Sequence, residues 1–186
     1  IPILKGLLGH RIFIIREGEQ SRFSRVGSFN SLLELKAGQG KLWSDTQVLK
    51  SAGINVVSTN KYDNLFYMLE GGRFDYFPRA VHEPFSEVAS RKDLGLTIEQ
   101  VLMLIYPLPL YLFVAKENKA LAAEVTRLFE DAIADGSFDE FFFNHPLIKD
   151  VMNKTHIDKR KVFKIDNPHL TAATPLDRKE LWLDLT

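Results

Sequence analysis

The 186-residue chain has no cysteine. Disulfides, thiolate metal sites and a thiol nucleophile are therefore excluded, and the redox compartment stays open. Net charge is lacking too, since Lys plus Arg and Asp plus Glu both total 24. No overall field draws the chain to nucleic acid or to an anionic membrane, and no nucleic-acid partner is expected. Long apolar runs are missing as well. The longest uncharged one, Val101 to Ala115, "VLMLIYPLPLYLFVA", is shorter than the roughly 20 residues a spanning helix needs, and Pro107 and Pro109 interrupt it. It reads as two buried segments meeting at a bend, not as a membrane span. His10, His82, His145, His156 and His169 are scattered, with no His-x-x-x-His or His-Glu-x-x-His spacing, so neither a metal nor a cofactor is expected. "GQGKLW" lacks both the third glycine of a dinucleotide loop and the Gly-Lys-Ser/Thr end of a P-loop, and there is no Gly-x-Ser-x-Gly elbow. The chain opens at Ile1 with neither Met nor a cleavable signal pattern. It is expected to be a fragment or a processed chain whose targeting information lies upstream.

What is present is an ordinary globular composition, 45% hydrophobic and 26% charged, with a regular alternation of elements. "HRIFIIR", residues 10 to 16, is β-branched and aromatic and reads as a strand. Ser28 or Asn30 is expected to cap a short helix around Leu32 to Leu35. Ser44 or Asp45 is expected to cap a helix running to Ala52, with Gly53 as its left-handed stop. A strand over Ile54 to Ser58, a helix over Tyr62 to Glu70, and a strand over Phe74 to Phe77 follow. Strand, helix, strand, helix, strand at this spacing implies right-handed crossovers in a largely parallel sheet. A short helix ending near Gly95, a second strand from Tyr111 to Ala115, and a long helix from Asn118 stopped by Gly136 complete the pattern. The stretch after Lys154 has little periodicity and is expected to wrap the surface.

Four segments carry a resemblance. "LLELKAGQGKLWSDTQVL", "NLFYMLEGGRFDYF", "YPLPLYLFVAKEN" and "AIADGSFDEFF" in this order resemble the family 3 extracellular solute-binding proteins, over roughly residues 1 to 143. The resemblance implies an α/β fold of the type II periplasmic-binding-protein kind, with a parallel-rich sheet flanked by helices and two lobes, the first incomplete. On that basis residues 1–28 are a crossing strand and link, 29–102 lobe two, and 103–186 the returning strand, helix and tail of lobe one. It further implies a non-catalytic role, a periplasmic location, a small-molecule ligand and, as partner, the membrane component of an ABC transporter or a sensor.

The candidate ligand-binding residues are Trp43, Ser44, Asp45, Thr46, Arg79, Glu83 and Tyr106. Backbone N–H groups of residues 44 to 47, at a helix start, attract an anionic group, the place where the resembled family holds a ligand carboxylate. Trp43 suits a flat or apolar ligand part, unless it packs in the core. Arg79, after the expected strand, offers a planar fork to a carboxylate or phosphate, or pairs with Glu83 or Glu87 along a following helix. Amino-acid-binding members of the family carry an acidic residue at or beside this place. Here Arg79 and Ala80 stand instead, which argues against a standard α-amino acid ligand and, with the Arg79 fork, for a small polar, anionic solute. Tyr106 and Tyr111 flank the bend at which the chain returns, as cleft aromatics or as core. Two alternatives remain: a dehydratase-like enzyme on the same fold using His82 or Glu83 as acid or base, and a sensory domain that has lost ligand binding.

Overall fold

The computed structural model describes residues 1–184. Its centre is β1 (His10–Arg16), whose run of β-branched and aromatic side chains is buried on both faces. Such a strand needs cover on two sides and neighbours on two edges. One edge pairs antiparallel with β4 (Phe77–Ala80), in the register Arg11↔Ala80, Ile12↔Arg79 and Phe13↔Pro78. The other edge is shared by β5 (Leu96–Ile98) and β6 (Leu102–Ile105), both antiparallel, and β7 (Lys161–Lys164) lies parallel to β6.

β2 (Lys36–Gly40) and β3 (Asn55–Thr59) form a parallel pair. They join the larger sheet through a parallel bridge between Ala37 and Tyr76, with Gly38 N–H donating to the Tyr76 carbonyl at 2.8 Å. The carboxyl ends of β2, β3 and β4 therefore lie at one edge of the molecule. Between β2 and β3 runs α3 (Ser44–Ser51), whose Val48 and Leu49 pack with Phe13, Ile15 and Ala37 on one face. Gly53 stops it with φ of 83°, the left-handed geometry that glycine adopts without a steric penalty. On the other face α4 (Tyr62–Glu70) buries Leu65, Phe66 and Leu69 against Ile14 and Phe77. Two small helices, α1 (Gln20–Ser24) and α2 (Phe29–Leu33), cover the end of β1, and Ser28 and Ser31 form a capping box at α2. α5 (Pro84–Ala89) follows β4 directly.

Two expectations shift. The strand placed at Phe74 to Phe77 lies instead at Phe77–Ala80 and runs through Pro78. Proline is tolerated because the Phe13 carbonyl opposite accepts from Glu99 N–H at 2.8 Å and asks nothing of residue 78. The strand at Tyr111 to Ala115 does not form. Leu110 accepts one bond from Ile3 N–H at 2.9 Å, but nothing builds a ladder along 106 to 115.

The long helix is present as α6 (Lys119–Ala134), capped by the Asn118 side chain, yet none of its residues is buried. α7 (Ser137–Asn144) and α8 (Pro146–Thr155) bring Phe142, Ile148 and Val151 back onto the sheet beside Ile12 and Met103. Beyond β7 the tail wraps the surface. Asn167 donates to the Pro107 carbonyl at 2.8 Å, Arg178 grips Glu130 of α6 with both arms at 2.7 and 2.8 Å, and Leu181 is buried.

Candidate functional site

The loop "KLWSDT" leaves β2 at its carboxyl end and turns into α3, and Gly40 makes the turn possible. A Cβ on Gly40 would overlap the Trp43 indole, so the missing side chain lets the ring lie flat over the strand end. Trp43 is the N-cap of α3 and offers no side-chain cap to the first turn. The expected cap at Ser44 or Asp45 is thus corrected. Both residues lie inside the helix, and each side chain has other surroundings.

Ser44 is exposed. Asp45 is buried and accepts from Arg11 of β1 and from the Tyr106 hydroxyl, the latter at 2.6 Å. Thr46 is buried and donates to the Gly40 carbonyl at 2.7 Å. Asp45 is therefore a counter-ion and Thr46 a brace for the loop. Tyr106 is fully buried, and burial pushes its hydroxyl well above the ordinary value, so it acts as donor to Asp45.

On the opposite face of the sheet Arg79 leaves β4 toward Trp43. Its guanidinium carbon sits 5.1 Å from the Trp43 ring centroid, 5.6 Å from Tyr62 and 5.0 Å from Phe77. Glu87 of α5 accepts from Nε at 2.9 Å and from Nη2 at 2.7 Å. Tyr62 donates to the same Glu87 carboxylate, and burial, then this bond, hold its hydroxyl above the usual range. The fork that the sequence offers to a ligand is thus filled by the protein's own carboxylate.

Glu83 lies between the two arginines, at the carboxyl end of β4. It accepts from Ala80 N–H at 2.7 Å and pairs with Arg79 at 2.9 Å and, more distantly, with Arg11 at 3.8 Å. Its side chain stays 26% exposed, against 10% for both Asp45 and Glu87. Two guanidiniums thus face three carboxylates, and the surplus negative charge belongs to the group that still meets solvent. His82 beside it is held below its ordinary value, first by burial and against the pull of Glu83.

Trp43 and Glu83 come together around Arg79 at this strand edge, whereas Asp45 and Thr46 lie on the buried side of α3, Asp45 with Tyr106, and Ser44 faces Val48, Leu108 and His169. Sequence reasoning missed Arg11 and Tyr62 as parts of the cluster, whereas the pairing of Arg79 with Glu83 and Glu87, held as the alternative to a ligand contact, does form. Arg11 carried a signal, a charge inside an apolar strand, whereas Tyr62 sits on a helix face that looks ordinary. No group of three or more His, Asp or Glu among the described residues is placed to hold a metal ion, and no described helix is long and apolar enough to cross a membrane.

No family model matches the chain, and no curated protein sequence matches it. Solved structures do. An ancestral arginine-binding protein bound to glutamine is 20% identical, with a TM-score of 0.53 over 77% of this chain and 60% of that one. A Bacillus subtilis protein is 20% identical over 86% of this chain and 64% of its own, with a TM-score of 0.47. An amino acid ABC transporter substrate-binding protein from Streptococcus pneumoniae, bound to L-arginine, is 19% identical over 78% of this chain and 57% of its own, with a TM-score of 0.44. The fold is that of the type II periplasmic binding proteins. The chain spans less than two thirds of the length of these proteins.

Proposed function

We propose that the chain is the greater part of a non-catalytic binding module for a small polar solute, with residues 29–102 as the core of lobe two and the site at the carboxyl ends of β2, β3 and β4. In sheets of this kind ligands meet the protein beyond those strand ends. The observation that carries the reading is Glu83, a partly exposed carboxylate at the end of β4 left over after Arg11 and Arg79 are matched by Asp45 and Glu87. The sequence reading favoured an anion. The charge balance favours a solute bearing an ammonium or other cationic group, held by Glu83 beside the Trp43 ring, with any carboxylate of the solute at the start of α3. The ancestral arginine-binding protein bound to glutamine supports an amino-acid-like solute, against the sequence reading of Arg79 and Ala80. An ABC transporter component as partner, and a periplasmic setting, belong to the same proposal.

An acid–base enzyme is disfavoured by the same geometry. His82 Nδ1 is buried with no hydrogen-bond partner, so it forms no proton relay with Glu83. The test is a calorimetric titration of the chain with L-arginine, L-glutamine and putrescine against succinate. Amine-bearing solutes should bind, and Glu83→Gln, which keeps an acceptor for Ala80, should weaken them by about tenfold or more. Binding of succinate alone, or an unchanged constant in Glu83→Gln, would refute the charge assignment. A flat response to all four would support a domain that has given up ligand binding.

A further inference from the structure

Arg79 is surrounded by what a cation-binding pocket consists of. Three aromatic rings, Trp43, Tyr62 and Phe77, stand 5.0 to 5.6 Å from its guanidinium carbon. Glu87 grips it through Nε and Nη2, and Glu83 also pairs with Nη2 at 2.9 Å. Each wall is held by something other than Arg79. Trp43 rests over Gly40 and stacks at 18° on Phe77, Tyr62 is tied to Glu87 through its hydroxyl, and α5 carries Glu87 into place. Ring faces and a carboxylate in this arrangement recognise planar guanidinium and alkylammonium groups whether they belong to the chain or to a solute.

We propose that this is a guanidinium-binding pocket occupied in cis, and that Arg79 is a specificity-determining residue. By filling the pocket it bars a solute's guanidinium from Trp43, Tyr62 and Glu87, and Glu83, which it also pairs but which stays 26% exposed, is the acceptor that solutes meet. The selectivity role rests on the solute-binding proposal; the occupancy does not. The pocket is walled independently of its occupant, so removing the Arg79 side chain leaves a cavity with an unmatched carboxylate, which a free guanidinium ion fills.

Methylguanidinium is the probe, with urea as its neutral, planar counterpart and sodium chloride at equal ionic strength as the control for screening. In an Arg79→Ala, Trp182→Phe protein, millimolar methylguanidinium should raise the melting midpoint saturably and shift the emission of Trp43, while urea and salt should do neither. The same protein with Arg79 retained should not respond, and adding Glu87→Gln should abolish the response. Where Arg79→Ala fails to fold unaided, the yield of refolding with methylguanidinium against urea reads the same quantity. Equal effects of methylguanidinium and urea, or an equal response when Arg79 is present, would overturn the occupied pocket. L-arginine should bind Arg79→Ala roughly tenfold or more tighter than the parent. Methylguanidinium rescue with unchanged L-arginine binding would overturn the selectivity role alone.

Discussion

Arg11 shows what a buried charge demands of its neighbours. It lies in the middle of the sheet, 4% exposed, where desolvation must be offset by a partner carboxylate, and its Nε has no hydrogen-bond partner. Asp45 supplies the charge, and Tyr106 adds a hydroxyl to the same carboxylate. Asp45→Asn should therefore cost about 3 to 5 kcal/mol by urea denaturation, because it leaves the guanidinium uncompensated. Tyr106→Phe should cost about 1.5 to 3 kcal/mol, the scale of one hydrogen bond to a charged group. A change under 1 kcal/mol in Asp45→Asn, roughly a surface pair's worth, would mean that water reaches Arg11.

His10, one residue earlier, gives a pH dependence. Burial holds its imidazole below the ordinary value of 6.5, and its contact with the Gly6 carbonyl pulls weakly the other way. The unfolded chain binds the proton more readily, so stability is full above 6.5 and falls as the pH drops from there toward the lower folded pKa. His82 has the same sign. Urea midpoints compared at about pH 7.5 and about pH 5 should drop less in His10→Gln than in the parent.

At the scale of elements, the loop from β2 into α3 depends on Gly40. Gly40→Ala should displace the Trp43 ring, cost about 1 to 3 kcal/mol, and red-shift Trp43 emission in a Trp182→Phe background. An unmoved spectrum would place the ring elsewhere.

Much of this half of the molecule was legible. The helix at Tyr62–Glu70 has the bounds its periodicity implied, and Gly53 stops α3 where the sequence puts a stop. β4 was misplaced because Pro78 looks like a stop when read locally; what admits it is a carbonyl on β1 already engaged by Glu99, more than eighty residues along. The N-cap was misassigned for a related reason. Asp45 has the right chemistry for a cap, but a buried arginine on a distant strand claims it. In the site, Trp43, Arg79 and Glu83 were visible as residue types in position, whereas the sign of the solute charge was not. That depends on a count of carboxylates contributed by three separate elements.

For the whole molecule, α6 and the extended stretch before it form an apolar surface. Phe113 is 88% exposed, Leu112 57%, Leu128 51% and Leu121 45%, and a groove of about 110 Å³ lined by Leu112, Val114, Val125 and Phe129 runs between α6 and residues 111 to 114. Exposed apolar side chains of this kind drive association or bind hydrophobic dyes. The 186-residue chain should bind anilinonaphthalene sulfonate and sediment with concentration-dependent association, and Leu121→Lys with Leu128→Lys should reduce both. Dye binding unaffected by those changes would place the apolar surface elsewhere. The position of β1 has another consequence, in time and not in space. Its Ile-Phe-Ile-Ile run is the middle of the sheet, yet every strand that pairs with it comes from residues 77 to 105. At about 5 to 20 residues per second of synthesis, this apolar segment of the nascent chain waits roughly 3 to 13 s for its first neighbour, β4, and roughly 5 to 18 s for its last, β6. A holding chaperone that recognises short apolar segments should therefore be found on this strand during translation and leave it once β6 has been made.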